Sequence, residues 1–164
     1  MATPSLDKAL LEEPKVNEES PVMHFQYTYP HGFLTIAQAF VRKYNYEPRV
    51  HLTTVSGAEQ LDEDRFMFYR RVETVFTEQI SYERVIIDRR EGGQITSELL
   101  KSRPGQQERL FERGTIKAEG ENASIHNHLV FQHQGIKTLK VEFFKSGVEK
   151  VLKAIKFAQY EQEQ

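Results

Sequence analysis

The sequence predicts an α+β domain: a curved antiparallel sheet of about seven strands wrapped on a long C-terminal helix, with a short helix after the first strand. Three observations carry that expectation. Met23, Phe25, Tyr27 and Tyr29 alternate strictly with other residues. A β-like stretch from Arg49 to Gln134 is broken at short intervals by turn-forming residues. After Gly135 the apolar period changes from two to between three and four.

Residues 23 to 29 have the period of a half-buried strand, which Pro30 ends. From Phe33 to Tyr44 the spacing places Phe33, Ile36, Ala37, Phe40, Val41 and Tyr44 on one helical face, and Asn45 and Pro48 close that helix. Breaks near Asp62 to Asp64, Glu91 to Gly93, Arg103 to Gly105 and Glu119 to Asn122 divide the next segment. The strands so marked run near 49 to 60, 65 to 75, 80 to 89, 94 to 101, 106 to 118 and 123 to 134. Connections this short make successive strands antiparallel neighbours. Val141, Phe144, Val148, Val151, Leu152, Ile155 and Ala158 then form the apolar stripe of a long helix, with Lys145, Lys150, Lys153 and Lys156 opposite. A sheet that buries one face on that helix curls around it and can leave a cavity between the two.

The domain so defined covers residues 23 to 160, between an extended N-terminal tail, 1 to 22, and a frayed end, 161 to 164. Asp7, Glu12, Glu13, Glu18 and Glu19 dominate the tail, which has neither the apolar core of a signal peptide nor the Arg-rich pattern of a matrix presequence. Lys and Arg total 22 against 24 Asp and Glu, so no net field favours nucleic acid as a partner. The apolar runs are too short to cross a bilayer, and no transmembrane segment is expected. The chain has 0 cysteines, which removes disulfides, thiolate chemistry and Cys-ligated zinc together.

His126 and His128 fall two apart on a strand, so both rings face one side, a spacing that could supply two metal ligands. No third ligand is identifiable, and the competing reading is structural; no metal site is expected. Asp88, Glu98, Glu108 and Glu112 are candidate paired carboxylates whose plainer reading is solvated sheet surface. No Gly-rich phosphate loop or nucleophile motif is present, and Gly92-Gly93 reads as a hairpin turn. Arg42-Lys43 closes the first helix, where cations meet the negative end of the helix dipole; the sharper reading is a phosphate contact. Arg70 and Arg71 point to opposite faces of their strand. If Arg70 shares the face of Phe66 and Phe68, it needs a buried counter-charge or an anionic ligand.

Tyr29-Pro30-His31, the helix ending Arg42-Lys43-Tyr44, Pro48-Arg49-Val50 and the strand with Tyr69-Arg70-Arg71 together resemble the PRELI/MSF1 family. The likeness continues through Tyr82-Glu83-Arg84-Val85-Ile86-Ile87-Asp88, Leu110-Phe111-Glu112-Arg113-Gly114-Thr115 and Glu121-Asn122, and covers about residues 23 to 160. It implies a START-like helix-grip cup that holds one anionic phospholipid, such as phosphatidic acid, in the mitochondrial intermembrane space or at the inner-membrane surface. It also implies a protein partner, binding and release without catalysis, and no cofactor beyond a bound phospholipid. Lys43 and Arg49 match family positions at the phosphate end of the pocket, and Arg70 joins them as a candidate lipid-phosphate residue. Two departures stand out. Only about seven residues separate Thr74 from Tyr82, where transfer-active members carry a long lid loop, and Glu73 and Thr74 stand where basic residues are common. Efficient transfer is therefore not expected. The competing expectations are an accessory subunit of a mitochondrial inner-membrane complex, of respiratory-chain or ATP-synthase type, and a hydrolase or cyclase built in the same cup.

Overall fold

Alternation at the start of the domain produces strand β1 (Val22–Tyr29), and the helical face after it produces α1 (Phe33–Arg42). Strands β2 (Val50–Gln60), β3 (Arg65–Thr74), β4 (Ile80–Asp88), β5 (Gln94–Ser102), β6 (Arg109–Ala118) and β7 (Ser124–Gln132) follow, and α2 (Val141–Gln162) closes the chain. These bounds come from a computed structural model that describes residues 22–47, 50–74, 80–102, 109–132 and 141–162. The tail through residue 21, Arg49, Glu108 and the 75–79 connection, where the lid is expected to be missing, lie outside the described residues.

All pairings are antiparallel, in the order β1-β7-β6-β5-β4-β3-β2. Six strands thus form a continuous meander from β2 to β7, as short turns dictate. β1 returns to the far side and pairs with β7. Between β4 and β5 the turn holds Glu91, Gly92 and Gly93 at φ of 55, 85 and 117°, where glycine costs least. Gly93 serves a second purpose, because a Cβ there would run into the Phe33 ring that begins α1.

Register sorts the side chains into two faces. Phe68, Val85, Ile95 and Ile116 look inward and pack with Tyr29, with Ile36, Ala37, Ala39 and Phe40 of α1, and with Val148, Val151, Ala154 and Ile155 of α2. The spacing of three and four along α2 therefore meets the sheet as expected. α1 differs in two places from its expected face. It ends at Arg42, leaving Tyr44 in the following turn, and Val41 is 43% exposed while Ala39 is buried. Packing against α2 as well as the sheet rotates the buried face away from the one the spacing favours. On the outer face, Leu100 and Phe111 form a second apolar cluster with Tyr69, Tyr82 and Leu129.

Candidate functional site

Arg70 projects from β3 into the interior and is 1% exposed. It stands directly opposite Glu83 of β4, and its Nε donates to Glu83 Oε1 at 2.7 Å. Its Nη1 donates to the carbonyl of Val41 at 2.7 Å and reaches that of Phe40 at 3.4 Å. Those carbonyls belong to the end of α1, where helical partners run out, so the guanidinium both pairs with the carboxylate and caps the helix. Lys43, the residue that caps α1, swings its Nζ to Glu83 Oε2 at 3.2 Å.

The Tyr44 ring is the platform of this cluster. Arg70 Cζ lies 4.6 Å, Lys43 Nζ 5.0 Å and Lys150 Nζ of α2 5.8 Å from its centroid, within cation-π range. Burial lowers the Lys43 pKa from 10.5 to about 8 against the opposing pull of Glu83. Burial alone would raise the Glu83 pKa, but Arg70 and Lys43 outweigh it and hold the carboxyl below its ordinary value. Burial, followed by the nearby Glu83 charge, pushes the Tyr44 phenol well above its ordinary value.

Of the candidate phosphate residues, the structure brings Lys43 and Arg70 together; Arg49 lies outside the described residues. The counter-charge that a buried Arg70 requires is supplied by Glu83. Sequence reasoning missed Glu83 as its partner, although Ser81, Glu83, Val85 and Ile87 form one alternating set on β4 and would have marked its face. Lys150, expected on the solvent side of α2, instead lies over Tyr44 because the turn after α1 passes beneath it.

A second polar group lies on the same face. Glu112 of β6 is 3% exposed, which corrects its reading as solvated surface. Its Oε2 meets Lys101 Nζ at 3.1 Å and its Oε1 meets His128 Nε2 at 3.2 Å. Burial works to raise its pKa, yet Lys101 and His128 hold it far below the carboxylate range. His126 and His128 do share a face, as the spacing predicts, and Tyr29 Oη lies 3.2 Å from His126 Nδ1. Burial, then the charges of His128 and Lys43, lowers the His126 pKa to about 3, so its ring is neutral near pH 7. Among the described residues, no group of three His, Asp or Glu could hold a metal ion. Glu98 pairs with Arg84 on the outer face and Asp88 with Arg90 at the β4–β5 turn, so these carboxylates are not brought to Glu112. An open cavity of about 490 Å³ lies at the β2–β3 end, lined by Gln60, Glu63, Asp64, Phe66, Ile87 and Arg89.

Comparison with solved structures places this architecture. Ara h 8.0201 superposes with a TM-score of 0.51 at 17% identity over 83% of this chain and 95% of the other. Norcoclaurine synthase from Thalictrum flavum, in complex with dopamine and hydroxybenzaldehyde, gives 0.52 at 12% identity over 87% of each chain. The fold is helix-grip. At these identities the likeness concerns the fold alone. No family model matches the chain, and no curated protein matches it. Among the described residues, no helix is long and apolar enough to cross a membrane.

Proposed function

We propose that this protein binds an anionic phospholipid, without catalysis, in the cup between its sheet and α2. The observation that carries this reading is the charge balance at Tyr44: Arg70 and Lys43 share Glu83 as the carboxylate they contact among the described residues. A buried Arg70 and a largely buried Lys43 against one carboxylate leave a positive excess in a medium that penalises it. A phosphate head beside Lys43 and Lys150 offsets that excess, with acyl chains lying along the apolar inner face of the sheet. The helix-grip neighbour holding dopamine and hydroxybenzaldehyde supports the use of such a fold for small molecules. By its resemblance to PRELI/MSF1 proteins, the same reading situates binding in the mitochondrial intermembrane space or at the inner-membrane surface, beside a protein partner.

Titration with short-chain phosphatidic acid and phosphatidylcholine tests the proposal. Phosphatidic acid should bind more tightly, and the Lys43→Ala/Lys150→Ala double variant should lose about tenfold or more for that lipid alone, since charged hydrogen bonds contribute roughly 1.5–3 kcal/mol. Equal affinity for the two lipids would overturn it. So would identical behaviour of parent and variant.

A further inference from the structure

With Ile36, Ala37, Ala39 and Phe40 turned inward, α1 keeps an outward face of Leu34, Thr35, Gln38, Val41 and Arg42. A helix lying on a protein surface ordinarily shows water a charged face. This one carries a single charge, Arg42, and two aliphatic side chains two turns apart. Leu34 is 71% exposed, and Val41 is exposed as well.

The same side of the molecule continues onto β2. Val55 stands opposite Arg70 in the β2–β3 ladder, and Arg70 holds the carbonyl of Val41, so Val41 and Val55 flank one guanidinium. Val55 is 57% exposed, on an edge strand that pairs only with β3 among the described residues. It shares with Arg70 the sheet face on which α1 packs, so Leu34, Val41 and Val55 project to one side, away from the sheet. From Val22 to Ala58, which spans β1, α1 and most of β2, the sequence holds one acidic residue, Glu47, although the chain has 24. Glu47 lies past the end of α1. Aliphatic groups standing singly on a convex face form no pocket for a peptide. They suit a soft planar surface, into which they sink while uncharged Thr35 and Gln38 meet polar head groups. A phosphate-bearing surface attracts Arg42 and meets no carboxylate among these side chains.

We propose that the outward face of α1, together with Val55 of β2, docks on the surface of an anionic phospholipid bilayer. Docking there sets the bilayer against the end of α1 where Arg70, Lys43 and Tyr44 gather, so a lipid leaving it meets that cluster first. The choice of a bilayer as the occupant rests on the reading of the cup as a phospholipid site.

Flotation with vesicles of phosphatidylcholine, alone or mixed with phosphatidic acid, tests the face. The parent should float with the mixed vesicles and more weakly with phosphatidylcholine alone. Leu34→Glu and Val55→Glu, on different elements, should each reduce binding to the mixed vesicles at least about tenfold, because each withdraws an aliphatic contact and adds a charge that the phosphate surface repels. Tyr160→Glu puts the same charge on the exposed end of α2 and should float like the parent. All three positions are more than half exposed, so the fold is retained. A parent that floats with neither vesicle, as a face built for a protein partner would leave it, overturns the docking. So do equal flotation with both vesicles, unchanged binding by either of the first two variants, or an equal loss in Tyr160→Glu. If the cup reading alone is wrong, short-chain phosphatidic acid and phosphatidylcholine will bind equally while flotation and its loss in Leu34→Glu and Val55→Glu persist. If the docking alone is wrong, the preference for short-chain phosphatidic acid will remain and these flotation differences will not appear.

Discussion

Lys43 carries an amine that is harder to protonate in the folded chain than in the unfolded one, at about 8 against 10.5. Between those values the unfolded chain binds more protons, so stability attributable to this residue rises with pH through the window and is flat below it. Urea denaturation at a series of pH values should therefore show the parent gaining about 1–3 kcal/mol over Lys43→Met from pH 8 to 10.5. Parallel curves would mean that Glu83 compensates the amine fully. At this scale the sequence was partly legible. Alternation states which face Arg70 shares, and the cost of an unpaired buried charge states that it needs an anion. Which anion depends on the register of β3 on β4, and register is set by turn geometry that residue types specify only loosely. Glu83 was invisible as a partner for that reason.

Along α2, the stripe of Val148, Val151, Leu152 and Ile155 was readable directly, because spacing of three and four on a long helix admits one buried face. The structure refines which position is most sensitive. Val151 is 1% exposed, whereas Leu152 is only partly buried. Val151→Asp should cost at least about 3 kcal/mol, since it places an unpaired carboxylate in the core and removes a packed side chain, and circular dichroism melting should show the loss. An unchanged melting temperature would remove α2 from the sheet. The face of the shorter α1 was less legible. Ten residues make fewer than three turns, and burial at Ala39 instead of Val41 is decided by what lies on either side.

Across the whole molecule, the β2-to-β7 meander follows from short connections, and the sequence contained that order. Nothing local fixed the place of β1, whose partner β7 begins about 95 residues beyond the end of β1. An edge strand joined by so distant a pairing is held by one ladder and by its inward side chains. Native-state hydrogen exchange should accordingly show β1 amides exchanging faster than those of β5 and β6, which are paired on both sides. Equal protection would make the sheet a single cooperative unit.

That remote pairing also has a consequence during biosynthesis. The ribosome releases β1 early, yet its hydrogen-bonding edge and the rings of Phe25, Tyr27 and Tyr29 have no strand to join until β7 has emerged. At 5–20 residues per second, the nascent chain carries that aromatic strand unpaired for roughly 5–20 seconds. A chaperone that recognises short extended aromatic segments would find its target at the start of this domain, and its release would be timed by the synthesis of residues near 132.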